Sequence, residues 1–123
     1  MPPRPLKPVE WIGAALDELR ACPEVVQDVV GYALFLAQSG DHHPAAKRLK
    51  GDLQGLVEIV DDCDGSTYRA VYTARLAGVI YVLHAFQKKA TKGIATPRHV
   101  VQVIKGRYRR AAAHYAEHYR EEG

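Results

Sequence analysis

Two neighbouring segments of this sequence carry cationic and aromatic side chains at alternate positions, where an extended backbone would point them to one side. Arg69 and Arg75 fall on one face of the first segment, and His84, Phe86 and Lys88 fall on one face of the second. Lysine and arginine hold phosphate groups whatever the base, whereas aromatic rings stack on bases. Together these residue types predict a surface that binds nucleic acid.

Stacking on bases requires accessible aromatic rings, and this part of the chain offers three candidates, Tyr72, Tyr81 and Phe86. Two interpretations stay open for Tyr81 and Phe86, because both lie in an apolar run where an aromatic ring also suits a hydrophobic core. The prediction of phosphate binding does not depend on that choice, since it rests on the cations alone.

The net charge of +3 conceals an uneven distribution of charge along the chain. Residues 65–116 contain ten lysines and arginines and no aspartate or glutamate, whereas residues 1–64 sum to −5. A field of one sign over half of a small domain attracts polyanions and steers their approach, so nucleic acid is the first partner class to consider. A basic face that serves only solubility is the alternative.

The length of 123 residues predicts a single domain, 1–123, with a hydrophobic core of its own. Cys22 and Cys63 lack the spacing of a metal site, so we expect structural thiols in a reducing compartment. No apolar run approaches the roughly 20 residues that span a bilayer, and the opening MPPRPLKP lacks the apolar stretch of a signal peptide. These features predict a cytoplasmic protein with no membrane partner.

Two helical segments are predicted at the start of the chain. Apolar residues recur at helical spacing from Val9 to Leu19, and Pro23 interrupts the pattern. A second series begins at Glu24 and ends at Gly40, a residue type that commonly terminates helices. The short link between them predicts a helical hairpin.

The apolar period then changes from 3.6 to 2. Segments 56–60, 67–76 and 79–86 are rich in β-branched and aromatic residues and are separated by turn formers, which predicts three consecutive antiparallel strands. A further short strand is expected at 46–50. The segment 79–86 is almost entirely apolar, so we expect a central strand buried on both faces.

A long final helix is predicted to begin at Pro97, because Thr-Pro is a helix-start signal. Its buried stripe consists of residues at helical spacing, namely Val100, Ile104, Tyr108, Ala111 and Tyr115. The predicted fold class is α+β, with an N-terminal helical hairpin, an antiparallel β-sheet of three to four strands and a long C-terminal helix.

The final helix also carries two histidines at the spacing of a zinc peptidase motif, in the order His114, Tyr115, Ala116, Glu117, His118. A catalytic zinc normally has three protein ligands around a cleft, and only five residues follow this motif. We interpret the match as accidental and expect no metal site.

The runs LKGDLQGLVEIVDD, TYRAVYTARL and VIYVLHAFQKKATKGIATP resemble the toxins of bacterial type II toxin–antitoxin modules, the RelE/ParE superfamily, within it the HigB-like, phage-related branch. The resemblance implies a RelE-like fold with a curved sheet. It also implies a ribosome-dependent endoribonuclease that cleaves mRNA without metal or other cofactor, and a cognate antitoxin, often a helix-turn-helix protein, that neutralises it.

The chemistry implied by the resemblance is attack of a ribose 2′-oxygen on the adjacent phosphate, which requires a base, cations for the transition-state charge and an acid. Arg69, Lys88 and Lys89 are the expected phosphate and transition-state stabilisers, and His84 or Tyr72 is the expected proton-transfer group. A histidine in an apolar strand also occurs as a satisfied core residue, and a lysine could serve as base if neighbouring cations lowered its pKa.

The remaining basic residues and Phe86 are predicted to bind RNA. This set comprises Lys47, Arg48, Lys50, Arg75, Phe86, Lys92, Arg98, Lys105 and Arg109. Two alternatives stay open: a ParE-type toxin that inhibits DNA gyrase, and a non-catalytic RNA-binding module, for which exposed stacking aromatic residues are expected.

Overall fold

The computed structural model describes residues 6–88 and 97–119. Three α-helices, five β-strands and one short 3-10 helix make up the described chain. In order they are β1 (Val9–Trp11), α1 (Ala15–Arg20), α2 (Glu24–Gln38), β2 (Ala46–Arg48), the 3-10 helix (Gly51–Leu53), β3 (Leu56–Cys63), β4 (Ser66–Thr73), β5 (Ile80–Lys88) and α3 (Arg98–His118). The α+β fold class is confirmed.

The strands form one mixed sheet in the order β1-β5-β4-β3-β2. All neighbours are antiparallel except β1, which runs parallel to β5. The β3–β4 hairpin closes at a two-residue turn, since Cys63 pairs with Ser66 and both Asp64 and Gly65 have positive φ. Asp-Gly suits such a turn because these residues tolerate the left-handed backbone that matches the strand twist.

The sheet lies between two layers of helix, and each of its faces buries an apolar core. The face covered by α1 and α2 contributes Val57, Ile59, Ala70, Tyr72, Ile80 and Val82. The face covered by α3 contributes Leu56, Val71, Val79, Tyr81 and Leu83, which pack with Val100, Ile104 and Ala111. The alternation of β3 and β4 between these two cores is what the period of two in the sequence predicts.

The start of the chain differs from the prediction. A helix beginning at Val9 is wrong, because Val9–Trp11 pairs with Ile80–Val82 as a parallel strand, and α1 begins only at Ala15. Gly13, with φ +58, separates the two elements. The sheet therefore has five strands in place of three to four, and it is mixed.

Other predicted elements are confirmed. The second helix, the three strands, the short strand near Ala46 and the long final helix with its buried stripe are all present.

The strand β5 is buried on both faces from Ile80 to Leu83. However, β1 covers only Ile80–Val82, so from Leu83 onward one side of β5 has no strand beside it among residues 6–88 and 97–119. Among the described helices, none is long and apolar enough to cross a membrane.

Candidate active site

A β-bulge in β5 decides which face carries the predicted site residues. Val71 pairs with His84, yet Tyr72 pairs with Val82, so Leu83 is one extra residue opposite β4. The bulge shifts the alternation of β5 by one position. As a result, Leu83 contributes to the core beneath α3, while Ala85 contributes to the core on the other face.

Beyond the bulge, the register aligns β5 with the basic positions of β4. Phe86 lies directly opposite Arg69, and Lys88 lies opposite Thr67. Residues opposite each other in an antiparallel pair project from the same face. Arg69, His84, Phe86 and Lys88 therefore share the α3 face of the sheet, as the sequence predicted for each strand separately.

The imidazole of His84 is held on two sides. Its ring stacks on Phe86, with the ring centroids 4.8 Å apart and an interplanar angle of 22°. Its Nδ1 lies 2.9 Å from Oε1 of Glu18, which comes from α1. The His84 side chain is 12% exposed, so its position is nearly fixed by these neighbours.

Arg107 of α3 completes the group. Its guanidinium donates two hydrogen bonds to the Glu18 carboxylate, from Nη1 to Oε1 at 2.6 Å and from Nη2 to Oε2 at 3.0 Å. Burial of the Glu18 carboxyl group disfavours its charge, but hydrogen bonds from Arg107 and His84 outweigh burial and hold the pKa of Glu18 below its usual range. We call Glu18, His84, Phe86 and Arg107 the His84 cluster.

Glu18 and Arg107 also form hydrogen bonds with backbone groups on the edge of β5 that β1 does not cover. Arg107 Nη1 donates to the carbonyl oxygen of Leu83 at 2.9 Å, and the backbone N–H of Ala85 donates to Glu18 Oε1 at 3.3 Å. The two side chains thus supply hydrogen bonds to backbone groups that no strand of the described chain pairs with.

Arg69 lies beside this cluster but already has an anionic partner. Its guanidinium forms an ion pair with Glu58 of β3, which is 5% exposed. The Arg69 Nε is buried and has no hydrogen-bond partner within residues 6–88 and 97–119. Part of the arginine's charge is thereby neutralised, while Nε remains a donor without an acceptor.

A cleft lies at the other end of the sheet, where β3 begins and β4 ends. It consists of two adjoining cavities of about 550 Å³ and 140 Å³, which share Gln54, Leu56 and Arg75 in their walls. Arg48 and Lys50 also line the larger cavity, and Lys105 and Arg109 also line the smaller one. We call this pair of cavities the basic cleft. One acid contacts it, since Asp52 pairs with Lys105 at 3.1 Å.

The family model described as "Phage derived protein Gp49-like (DUF891)" matches residues 17–109. The chain belongs to this Gp49-like family. The match extends from α1 into α3 and includes every member of the His84 cluster. No curated protein matches the chain.

Among solved structures, the Gp49-like chain is similar to a chain in the crystal structure of the toxin–antitoxin complex RelBE2 from Mycobacterium tuberculosis. The two chains are 18% identical, with a TM-score of 0.49, and the similarity covers 68% of this chain and 99% of that one.

The fold of the Gp49-like protein brings some predicted residues together and separates others. Tyr72 is 2% exposed in the core on the opposite face of the sheet, where burial raises the pKa of its hydroxyl. The expectation that Tyr72 joins Arg69 and His84 is therefore corrected, because strand alternation points it away. Lys89 and Lys92 lie outside the described residues.

The predicted RNA-binding set is likewise divided. Arg48, Lys50, Arg75, Lys105 and Arg109 line the basic cleft. Phe86 belongs to the His84 cluster, and the exposed Lys47 and Arg98 are not among the residues that line the cleft.

Sequence reasoning missed Glu18 and Arg107. The position of Arg107 in the sequence could have indicated its role. It falls between Ile104 and Ala111 on the buried stripe of α3, where a cation needs a partner. No local feature could have identified Glu18, since it is one of eleven acidic residues among the first 64.

The histidine pair of α3 has packing roles. His114 Nδ1 lies 2.8 Å from the hydroxyl of Tyr81, and its ring lies 4.3 Å from that of His118. Over the residues that the structure describes, no three His, Cys, Asp or Glu side chains are grouped so as to hold a metal ion.

Proposed function

We propose that this Gp49-like protein is the toxin of a type II toxin–antitoxin module and a ribosome-dependent, metal-independent endoribonuclease of the HigB-like branch. The proposal is supported by the resemblance of the runs around Arg69 and His84 to RelE/ParE toxins and by the Gp49-like membership. A cognate antitoxin would neutralise the protein in the cytoplasm, where its ribosomal target lies.

The observation that carries the proposal is the shared face of Arg69, His84 and Lys88. A proton-transfer group and two cations on one face are the residue types that cleavage of RNA by its own 2′-hydroxyl requires. The aromatic ring of Phe86 stacks on His84 and therefore lies on the same face.

In the proposed reaction, His84 removes the proton of the 2′-hydroxyl and the 2′-oxygen attacks the adjacent phosphorus. The bond to the 5′-oxygen breaks, leaving a 2′,3′-cyclic phosphate, and the 5′-oxygen takes a proton from the ammonium group of Lys88. Arg69 stabilises the charge on the phosphate oxygens through the guanidinium N–H groups that Glu58 leaves unused. A single well-placed base of this kind contributes about 10²- to 10⁴-fold to a rate.

The basic cleft gives the RNA a second place to bind. From Arg69 to Thr73, next to the cleft, is four residues of β4, which corresponds to about 13 Å along a strand. Phosphates on one side of the cut would therefore meet Arg48, Lys50 and Arg75 while the scissile phosphate lies near His84. Binding through phosphates is independent of sequence, so codon preference would come from the ribosome-bound mRNA geometry.

The test is primer-extension mapping of a reporter mRNA in a purified translation system, with and without ribosomes. We expect cuts in codon register only when ribosomes translate. His84→Ala should abolish the cuts, and the exposed His99→Ala on α3 is the matched control that should retain them.

Two results would contradict the proposal. Intact mRNA with normal translation would remove the nuclease, and inhibition of DNA gyrase supercoiling by the same preparation would then favour the ParE-type alternative. Binding of RNA without cleavage would leave a non-catalytic RNA-binding module.

A further inference from the structure

The contact between Glu18 and His84 determines more than the position of the ring. A neutral imidazole carries its proton on either Nδ1 or Nε2, and only the nitrogen without the proton can act as a base. Glu18 Oε1 lies 2.9 Å from Nδ1, and a carboxylate can only accept a hydrogen bond. This contact favours the form with the proton on Nδ1.

Arg107 also approaches Nδ1, at 3.2 Å from Nη1, and in principle it could donate to that nitrogen. However, Nη1 has only two hydrogens. One is directed to Glu18 Oε1 at 2.6 Å and the other to the Leu83 carbonyl oxygen at 2.9 Å. No hydrogen of Nη1 remains for His84, so the proton between His84 and Glu18 belongs to Nδ1.

We infer that Glu18 is a positioning residue that keeps the His84 proton on Nδ1 and leaves Nε2 to meet the substrate. Arg107 holds Glu18 in place through two hydrogen bonds. The inference rests on the proposed RNA cleavage for its functional consequence. Nε2 takes the 2′-hydroxyl proton as the bond between the 2′-oxygen and phosphorus forms, and the imidazolium is then stabilised by the Glu18 carboxylate. The bond to the 5′-oxygen breaks, and Lys88 supplies the proton to that oxygen.

A purely structural role for the same pair is a real alternative. Glu18 and Arg107 satisfy the open edge of β5 at Leu83 and Ala85, and that contribution needs no particular form of His84. The two roles differ in what they predict for the imidazole, so the experiment must observe the ring itself.

The first readout is a two-bond ¹H–¹⁵N correlation spectrum of the ¹⁵N-labelled 123-residue protein, which reports the protonated nitrogen of each of the six histidines. The signals missing from His84→Ala assign His84. We expect Nδ1–H in the wild type and in the control Asp17→Asn, a neighbouring exposed carboxylate on α1. We expect a mixture of both forms, or Nε2–H, in Glu18→Gln.

The second readout is single-turnover cleavage of ribosome-bound mRNA. Glu18→Gln should lower the maximal rate about 10- to 100-fold, as loss of an orienting partner does, with an unchanged half-saturating concentration. A residue that acts through His84 adds nothing once His84 is absent, so Glu18→Gln/His84→Ala should equal His84→Ala. Asp17→Asn should cleave at the wild-type rate.

Nε2–H in the wild type would overturn the inference, with or without any nuclease activity. A double variant that loses activity beyond His84→Ala would also overturn it, because Glu18 would then act independently. If Glu18→Gln fails to fold, the wild-type spectrum still decides. Nδ1–H in a protein that never cleaves RNA would uphold the positioning by Glu18 and refute the proposed function.

Discussion

The side chain of Arg75 fills the space that a β-carbon on Gly55 would occupy. A β-carbon built there would lie 2.7 Å from Arg75 Cγ and 2.9 Å from Nε, closer than side chains approach in proteins. Gly55 also has φ +93, which disfavours any residue with a β-carbon. Gly55 thus keeps Arg75 in both cavities of the basic cleft.

Gly55→Ala is therefore expected to destabilise the protein by about 1–3 kcal/mol, through backbone strain and displacement of Arg75. Gly31→Ala is the matched control, because Gly31 lies within α2 with no atom within 4 Å of the new β-carbon. It should stabilise the protein by about 0.5–1 kcal/mol. Urea unfolding of both variants measures the difference, and equal stabilities would refute the role of Gly55.

The basic cleft predicts a salt-dependent affinity for single-stranded RNA. Lys50→Gln should weaken binding of an unstructured RNA about equally for every sequence and should reduce the slope of log K against log salt by about one. Arg20→Gln, which removes an exposed cation of α1 outside the cleft, should change neither quantity. Fluorescence anisotropy across a salt series checks this, and identical slopes for both variants would exclude the cleft as the RNA site.

Because Arg69 forms an ion pair with Glu58, truncation of Arg69 is expected to lower the stability of the protein as well as any activity. Arg69→Ala leaves a buried carboxylate without its partner, which typically costs about 3–5 kcal/mol in the free energy of unfolding. Arg69→Met/Glu58→Leu should recover most of that loss, and denaturant unfolding compares the two. If Arg69→Ala is as stable as the wild type, the pair contributes little.

Lys88→Ala is consequently the cleaner functional variant. Lys88 lies at the end of β5 and is only half-buried, so its removal should relieve growth arrest on expression while thermal unfolding stays close to the wild type. Unchanged toxicity of a folded Lys88→Ala protein would place the active site elsewhere.

The lowered pKa of Glu18 predicts a loss of stability in acid. A carboxyl group whose pKa is lower in the folded state stabilises the protein above its unfolded pKa, and that contribution disappears as pH falls through the folded value. The loss should begin near 4.5, the ordinary value for the group, and continue below it. In urea titrations from pH 7 to pH 3, Glu18→Gln should be less stable at pH 7 and should approach the wild type at low pH; a constant gap would contradict the assignment.

Much of the architecture could be predicted because it is encoded locally. The period of two in β3 and β4, the Asp64-Gly65 turn and the buried stripe of α3 each depend on neighbours only a few residues away. The segment from Val9 was misread because three residues are too few to distinguish a strand from the first turn of a helix. What makes it a strand is pairing with Ile80–Val82, 71 residues later.

The sequence by itself determined the charge asymmetry and the α+β class, and it indicated a set of candidate RNA-binding cations. Only the tertiary structure decided that Tyr72 faces the opposite core, that five of those cations line one cleft, and that Glu18 meets His84. The physical reason is that the partners come from distant parts of the chain: β4 lies opposite the bulge at Leu83, and Glu18 pairs with the half-buried Arg107. Local spacing reports which face a residue prefers, but the partner across an interface is fixed only when the helices pack on the sheet.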